Sequence, residues 1–517
     1  MSTLQDRIDA LPSERLAGMR RGIEKEGLRV MPSGELAITP HPPVLGASLT
    51  HPKITTDYSE SQMELITGVH RGVHDCLDEL TEVHQFALQA LRARGDEMLW
   101  ASSMPCVLPT DETIPLARFG NSNVGRAKSI YRMGLGFRYG RRMQTICGIH
   151  YNWSLPGVAK AQAHAVNAFG APDVGAAKAR QRNGLVGGQQ ARHARRPEHF
   201  VAACAQRLQR MEGGSALYLP HATSLRMGRL GYQSDAQATL AVSYNGLTGY
   251  ANSLHEALTK PYPAYEALGI RNPGGDYNQL GTSLLQIENE FYGTIRPKRV
   301  IQPGERPLHA LRERGVEYVE VRLMDLDPFV PVGITAETMR LLDVFLLHCL
   351  LSDSPPDTPQ EITELKRNQH LTAERGREPG LCLVRNGQNV ALVDWAAQVL
   401  QECAPLAAAL DASHHSTDYS TALASARATL ANPVQTPSAR VLEQMAREHG
   451  NNFTSFSTHQ SAQARDALLD LPWSDGQHAR FTAMAEESVA AQKAIEAADA
   501  LPFEEWRQHY MAAQGLG

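Results

Sequence analysis

Glu24 and Glu26 lie two residues apart in the segment 21–30, which reads Arg-Gly-Ile-Glu-Lys-Glu-Gly-Leu-Arg-Val. In a β-strand, alternate side chains point to the same side, so both carboxylates would share one face. Carboxylates held this close repel each other, and a site that keeps both ionised usually neutralises them with a cation. An exposed strand with two solvated glutamates is the alternative, and this segment alone does not separate the two.

A second segment, residues 143–154, is predicted to be a strand with one apolar and one polar face. Gln144, His150 and Asn152 are on the polar face. Gly148 lies among them, where a ligand could approach the backbone closely. Surface strands more often carry Lys, Glu or Thr outward, so we interpret this face as the lining of a cleft.

Residues 284–292 and 318–323 are predicted strands of the same design. The polar face of the first carries Glu288, and that of the second carries Glu320 and Arg322. Such strands suit an antiparallel sheet with one face on a core and the other open. If the open faces line one cavity, its carboxylates require cations. Carboxylates with one imidazole and no thiol cluster favour Mg²⁺ or Mn²⁺, and hard cations with arginines suit phosphoryl transfer from a nucleotide.

Two basic segments could bind anions. Residues 119–142 are rich in Gly, Arg and Lys, and they predict a loop followed by a helix, whose N-terminus favours anions. Residues 295–299 could contact phosphates through Arg296 and Lys298. A solvated basic surface is the alternative for each segment.

Composition excludes several classes of function. The 517-residue chain has a formal net charge of -5 and a sequence pI of about 6.5, which does not suggest nucleic acid or an anionic membrane as a partner. Its seven cysteines are widely spaced and form no Cys-x-x-Cys motif, as expected for reduced thiols. There is no apolar run near the length of a membrane span and no apolar signal core at the start, so we expect a cytoplasmic protein.

The chain divides into two parts by composition. Residues 1–334 contain the predicted strands and an amphipathic helix over 73–94, and they are interpreted as a catalytic core of sheet and helices. From 335 to 517 the sequence is rich in Ala, Glu, Gln and Arg and predicts mostly helices. We expect this second part to pack on the core without forming an independent domain.

Taken together, the motifs resemble the glutamate–cysteine ligases (γ-glutamylcysteine synthetases) of the bacterial single-chain type. The matching stretches, in family order, are 22–30, 55–60 with 64–67, 103–106, 143–152, 222–226 with 230–232, 285–290 with 295–299, and 318–322. The resemblance implies an α+β fold like the catalytic part of glutamine synthetase, with a curved, mainly antiparallel sheet that forms a funnel-shaped active site flanked by helices. It also implies that ATP phosphorylates the γ-carboxylate of glutamate and that the amine of cysteine then displaces phosphate, which is the first step of glutathione biosynthesis.

The same resemblance implies roles for individual residues. The expected ligands of Mg²⁺, or of Mn²⁺, are Glu24, Glu26, Asp57, Glu64, His150 and Glu320. The expected amino-acid-binding residues are Tyr58, Tyr131, Gln144, His150, Asn152, Arg226 and Tyr232. The expected nucleotide-binding residues are Glu288, Arg296, Lys298 and Arg322. Glu64 and Arg322 are the expected catalytic residues, and the permanent charge of Arg322 suits it to neutralise phosphate.

Residues 180–210 depart from the family pattern. They are basic and poor in core residues, with Phe200 as their one aromatic residue. A reading-frame change that later restores itself would give this appearance, and a divergent insertion is the alternative. A nucleic-acid-binding patch is a third interpretation, which the lack of aromatic residues among the arginines disfavours.

Three alternatives to the ligation of glutamate and cysteine remain open at this point. The same carboxylates could serve a metal-dependent phosphohydrolase by activating water. A ligase could use a different small amine as acceptor, and damage in 180–210 could leave an inactive relative. For the ligase, the expected partners are L-glutamate, L-cysteine and ATP, with feedback by glutathione implied by the resemblance and a monomer as the expected state.

Overall fold

The computed structural model describes residues 3–155, 208–212, 217–229, 231, 236–302, 304–353 and 356–516. The strands are β1 (Arg20–Val30), β2 (Ile54–Thr56), β3 (Gln62–Ile66), β4 (Met98–Leu99), β5 (Ile149–Ser154), β6 (Gln209–Arg210), β7 (Leu217–Tyr218), β8 (Ile295–Lys298), β9 (Tyr318–Met324), β10 (Cys382–Arg385) and β11 (Gln388–Ala391). The helices of the first part are α1 (Leu4–Asp9), α2 (Ser13–Ala17), α3 (Val73–Arg92), α4 (Asn123–Tyr139), α5 (Arg141–Gln144), α6 (Leu247–Thr259), α7 (Pro263–Leu268) and α8 (Pro307–Arg314). Those of the second part are α9 (Ala336–Leu351), α10 (Pro359–Arg375), α11 (Leu392–Glu402), α12 (Ala404–His414), α13 (Asp418–Ala431), α14 (Pro437–Glu448), α15 (Phe453–Leu469), α16 (Asp475–Ala498) and α17 (Phe503–Met511).

One seven-stranded sheet organises the first part of the chain. Its strand order is β2-β3-β1-β5-β9-β8, and β4 pairs with β1 beside this path. All these pairings are antiparallel, which confirms the predicted α+β class with an antiparallel sheet flanked by helices. The described sheet is open and uncurled, with β2 and β8 at its edges, so the walls of a funnel would have to come from other elements.

The apolar face of the sheet packs on helices. Ile23, Tyr151 and Val321 are fully buried in one hydrophobic cluster that includes residues of α3 and α9. A buried polar network ties the central strands to α9. Arg21 Nη2 donates to Asp343 Oδ2 at 2.8 Å, and Tyr151 OH donates to Asp343 Oδ1 at 2.8 Å. Because Arg21 is on β1 and Tyr151 on β5, this network fixes both strands to one helix.

The second part of the chain is mostly helical, as predicted. Helices α15 and α16 contact α3, and α17 contacts α4. The hydrophobic cluster under the sheet also includes Phe456 and Phe481 from these helices. The division at residue 334 itself stays a prediction. Among the described helices, none combines the length and the apolar character that crossing a membrane requires.

The predicted strand over 143–154 is correct only from residue 149. Residues 141–144 form α5 instead, and the side chain of Asp111 lies at the start of that helix. Its two carboxylate oxygens accept from the backbone N–H groups of Arg141 and Arg142, each at 3.0 Å. A carboxylate that satisfies free N–H groups at a helix start competes with strand pairing.

The predicted strand over 284–292 is wrong. The structure has a 3-10 helix over Glu288–Glu290, and none of the described strands includes this segment. The Gln286 N–H donates to Glu290 Oε2 at 2.7 Å, so a local side chain takes the place of a neighbouring strand. The alternation of polar and apolar residues was real, but it does not distinguish a strand from such a folded loop.

Candidate active site

Strand register brings the predicted metal ligands together. Glu24 is directly opposite His150 on β5, and Glu26 is directly opposite Glu64 on β3. Residues opposite each other in an antiparallel pair share a face, so all four side chains lie on the same side of the sheet. One ligand atom from each of Glu24, Glu64 and His150 lies within 4.8 Å of the other two. We call these three residues the carboxylate–histidine cluster.

His150 is the centre of this cluster. Its Nδ1 lies 3.2 Å from Glu24 Oε2, and its Nε2 lies 3.5 Å from Glu26 Oε1. Asn152 holds the other oxygen of Glu24, since Asn152 Nδ2 donates to Glu24 Oε1 at 3.0 Å. Burial and the nearby Arg322 guanidinium lower the pKa of His150. The ring is therefore neutral near pH 7, which is the form that binds a metal ion.

The carboxyl groups around His150 are mutually repulsive. Burial and the Asp57 carboxylate raise the pKa of Glu26 to about 8. Burial, followed by Glu24 and Asp57, raises the pKa of Glu64 well above its ordinary value. Burial acts to raise the pKa of Glu24, but the interactions with His150 and Lys298 together outweigh burial and lower this pKa. Without a cation, these groups cannot all be ionised at neutral pH.

The donor set of the cluster fits a hard divalent cation. It offers carboxylate oxygens and one neutral imidazole, which suit Mg²⁺ or Mn²⁺. Two buried atoms nearby, His150 Nε2 and Asn152 Oδ1, have no hydrogen-bond partner among the described residues. Buried polar atoms are normally satisfied, so these two indicate that the site is built to hold something further.

A group of cations surrounds Glu320, next to the cluster. Arg322 Nη1 donates to Glu320 Oε1 at 3.1 Å, and Lys298 Nζ lies 3.4 Å from the same oxygen. Arg296 is opposite Glu320 in the sheet, with its Nη1 3.9 Å from Glu320 Oε2. Burial acts against ionisation, but Lys298 and Arg322 outweigh it and hold the pKa of Glu320 well below its usual range. One carboxylate therefore orients three predicted phosphate-binding cations.

The space beside the Gly148 backbone is filled by a side chain of the protein itself, not by a ligand. Its N–H donates to Glu26 Oε2 at 2.8 Å. A Cβ at this position would lie 2.5 Å from Arg226 Nη2, so the guanidinium occupies the space beside the glycine. Arg226 is fully buried and donates from Nη1 to the Arg322 carbonyl oxygen at 2.8 Å. The glycine thus makes room for Arg226 next to Glu26, where we had predicted room for a ligand.

Three further predicted amino-acid-binding residues are described by the structure, and they lie in two places. Tyr58 and Tyr131 belong to a small buried aromatic and aliphatic cluster. Gln144 is on α5, and its Nε2 donates to Tyr292 OH at 2.7 Å. Tyr232 lies outside the described residues, as does almost all of the atypical segment 180–210.

Glu288, a predicted nucleotide-binding residue, and its neighbour Glu290 are each held by an arginine. Arg306 Nη2 donates to Glu288 Oε2 at 2.8 Å, and Arg138 Nη1 donates to Glu290 Oε1 at 2.8 Å. Each carboxylate is thus paired with an arginine, because the segment folds as a loop. The nucleotide-binding role expected for Glu288 receives no support from these contacts and stays a prediction.

Comparison with known proteins identifies the family. The sequence model of the glutamate-cysteine ligase family matches residues 5–172 and 195–372, well over half of the chain. The chain belongs to the glutamate–cysteine ligase family. The family is one of ligase enzymes, so the suggestion of a phosphohydrolase is not favoured. The unmatched interval 173–194 overlaps the segment that departs from the family pattern.

Individual relatives extend this match to nearly the whole chain. The glutamate–cysteine ligase of Alcanivorax borkumensis is 42% identical over 532 residues, covering 99% of each chain, and that of Pseudomonas paraeruginosa is 45% identical, covering 92% of this chain and 90% of the relative. The solved structure of the Francisella tularensis ligase in complex with AMP has a TM-score of 0.87 at 33% identity and covers 96% of this chain and 99% of that one. A bifunctional glutathione synthetase from Pasteurella multocida shares the fold, with a TM-score of 0.70 at 22% identity.

Two cations beside the predicted metal ligands were not predicted as site residues. Lys128 and Arg132, on α4, both interact electrostatically with Asp57 and Glu64. Arg132 Nε also donates to the Asp57 carbonyl oxygen. The basic composition of 119–142 was the signal in the sequence. Of the two interpretations given for this segment, anion binding and a solvated basic surface, the structure favours the first, with carboxylates as the anions.

Proposed function

We propose that the protein joins the γ-carboxylate of L-glutamate to the amine of L-cysteine, using ATP and Mg²⁺ and passing through γ-glutamyl phosphate. The observation that carries the proposal is the carboxylate–histidine cluster directly beside the cations around Glu320. An oxygen-rich metal site next to phosphate-binding cations is the arrangement that phosphoryl transfer from a nucleotide requires. Membership of the ligase family and the AMP bound to the Francisella tularensis relative support the same reading.

Glu24, Glu64 and His150 would hold the divalent cation, and Glu26, Asp57 and Glu320 are the further candidates. When bound, Mg²⁺ would neutralise charge on the phosphate oxygens of ATP. The permanent charge of Arg322, with Arg296 and Lys298, would stabilise negative charge that develops on the transferred phosphoryl group. Glu320 keeps these side chains in place before the substrate arrives, so little reorganisation is needed during the reaction.

Two bond-forming steps balance the reaction. A γ-carboxylate oxygen of glutamate bonds to the terminal phosphorus of ATP, and ADP leaves. The amine nitrogen of cysteine then bonds to the carbon of that γ-carboxyl group. The bond from this carbon to the phosphate oxygen breaks, phosphate leaves, and the nitrogen loses a proton. The first step is needed because an ionised carboxylate is a poor electrophile for an amine, whereas an acyl phosphate carries a good leaving group.

The remaining roles are also proposals. Tyr131, Gln144, Asn152, Arg226 and Tyr232 would bind the amino acids, with Arg226 and Tyr232 at the cysteine carboxylate and Tyr58 at the wall of the pocket for its side chain. The protein would act as a cytoplasmic monomer, with a sheet-and-helix core over 1–334 braced by 335–517, and glutathione could inhibit it.

The test is Mg²⁺-dependent phosphate release from ATP with both amino acids and with each alone. We expect release to need both, with one dipeptide formed for each phosphate. Release without amino acids would favour a phosphohydrolase, and release with glutamate and a different amine would change the acceptor. Glu64→Gln should abolish turnover, whereas Glu443→Gln, at an exposed position of α14, should not.

A further inference from the structure

The C-terminal segment, residues 499–511, packs against the small cluster that contains Tyr58 and Tyr131. Phe503, the first residue of α17, is 5% exposed and lies within this cluster. The buried members of the cluster are Tyr58, Ala127, Tyr131, Leu135, Leu280 and Phe503. A residue near the end of the chain therefore helps to build a wall that carries two predicted amino-acid-binding tyrosines.

One side of the segment is fixed to the start of α4. The Asn123 N–H donates to Asp499 Oδ2 at 2.5 Å, and Asn123 Nδ2 donates to the Leu501 carbonyl oxygen at 2.9 Å. The guanidinium carbon of Arg126 lies 4.3 Å from the centre of the Phe503 ring. Because α4 also carries Tyr131, these contacts tie the segment to the helix that presents this tyrosine.

The other side of the segment is fixed to the loop around Leu280. Arg507 Nη1 donates to the Leu280 carbonyl oxygen at 2.6 Å, and Tyr277 OH donates to Glu504 Oε2 at 2.5 Å. The rings of Tyr277 and Phe503 meet edge to face, with centroids 5.1 Å apart. The segment thus bridges α4 and this loop, which are the two elements on either side of Phe503.

The cluster that contains Phe503, Tyr58 and Tyr131 is suited to contact an uncharged side chain. Its buried members are aromatic or aliphatic, and burying an unpaired charge against them would be costly. The Tyr58 hydroxyl is buried and has no hydrogen-bond partner among the described residues, so a polar hydrogen or lone pair of a ligand could meet it. Of the proposed substrates, the CH₂–SH of cysteine fits this wall best, since glutamate and ATP offer mainly charged groups.

We propose that the C-terminal segment is a positioning element for the cysteine pocket, with Phe503 supporting Tyr58 and Tyr131 from behind. The proposal rests on the function proposed above, because it places cysteine against these tyrosines. It predicts that loosening the segment impairs cysteine binding more than binding of glutamate or ATP, although no residue of the segment needs to touch a substrate.

The test compares Phe503→Leu with Phe481→Leu in the full-length enzyme. Phe481 is a matched control, since it is also buried in the second part of the chain but packs on Phe86 and Trp473, in the other cluster. We expect Phe503→Leu to raise KM for cysteine about three- to tenfold, because displaced pocket walls weaken binding and orientation. KM for ATP and for glutamate should change less than about twofold, and Phe481→Leu should lower only the Tm.

The outcomes separate this proposal from the proposed function. Wild-type KM values in Phe503→Leu, or equal rises for all three substrates, would overturn the positioning role alone. A wild-type enzyme without cysteine-dependent turnover would overturn both. If Phe503→Leu does not fold, Arg507→Met keeps Phe503 but removes the hydrogen bond to the Leu280 carbonyl and the ion pair with Glu504, and it should still raise KM for cysteine selectively. A rise that Phe481→Leu reproduces would again count against the proposal.

Discussion

Gly148→Ala should separate the activity of this enzyme from its stability. The added Cβ would lie 2.5 Å from Arg226 Nη2 and 2.6 Å from its Cζ, whereas ordinary contacts of a Cβ begin at 3.4 Å. The guanidinium must therefore move by about 1 Å. Gly148 does not have a positive φ, so alanine itself fits the backbone and the effect comes from this contact alone.

The size of the effect follows from what Arg226 does. It counteracts the raised pKa of Glu26 and is bonded to the carbonyl of Arg322, so its displacement disturbs a carboxylate and a predicted catalytic residue together. A misplacement of about 1 Å can cost about 100-fold in rate, which corresponds to about 2.7 kcal/mol of transition-state stabilisation. The end of an arginine side chain is flexible, so we expect the Tm to stay within about 3 °C of wild type.

The assay is kcat/KM from coupled detection of ADP, together with a thermal melt. Gly27→Ala is the control on β1, because its Cβ would lie 3.7 Å from Leu99 Cδ2, an ordinary contact. This variant should keep nearly normal activity. If the kcat/KM of Gly148→Ala stays within threefold of wild type, the assignment of Arg226 to the site is refuted. If the Tm falls together with kcat/KM, the variant has a general folding defect instead.

Three further predictions concern other parts of the molecule. Glu26→Gln should lower kcat by orders of magnitude and weaken the Mg²⁺ dependence while leaving the melt unchanged; near-normal turnover would remove Glu26 from the metal site. Asp343→Asn leaves Arg21 buried with a weaker partner. Because loss of a buried ion pair typically lowers the free energy of unfolding by about 3–5 kcal/mol, the midpoint of unfolding should occur at a clearly lower urea concentration. All seven cysteines should be dispensable for the chemistry. Cys147→Ala is the strictest case, since burial raises the pKa of this thiol and keeps it protonated; a folded but inactive variant would contradict this.

The sequence predicted the parts of the site that depend on strand periodicity. Glu24 with Glu26 on β1, and Glu320 with Arg322 on β9, are two residues apart, and a period of two places each pair on one face. Which strands are neighbours is a property of the whole sheet. The contact of Glu24 with His150 joins residues 126 positions apart, and motif resemblance, rather than local pattern, suggested that they meet.

Strand periodicity is misleading where side chains replace strand pairing. The segment 284–292 alternates like a strand, but Glu290 accepts from the Gln286 backbone and from Arg138, which holds a loop. No local pattern reveals that an arginine on α4 reaches this carboxylate. Lys128 and Arg132 were missed for a similar reason, because their role depends on how near α4 lies to Asp57 and Glu64, which are distant from it in sequence.

The distribution of buried charge offers a reason to place the chemistry at the carboxylate–histidine cluster. Several buried carboxylates outside the cluster have a close arginine: Asp343 with Arg21 at 2.8 Å, Glu97 with Arg29 at 2.7 Å, Glu290 with Arg138 at 2.8 Å, and Glu288 with Arg306 at 2.8 Å. Glu24 and Glu26 instead contact a neutral imidazole, and Glu64 forms no ion pair with any described residue. The carboxylates of the cluster therefore lack the close arginine partner that those four have. Mg²⁺ would supply that positive charge, so metal binding should raise the thermal stability of wild type more than that of Glu64→Gln.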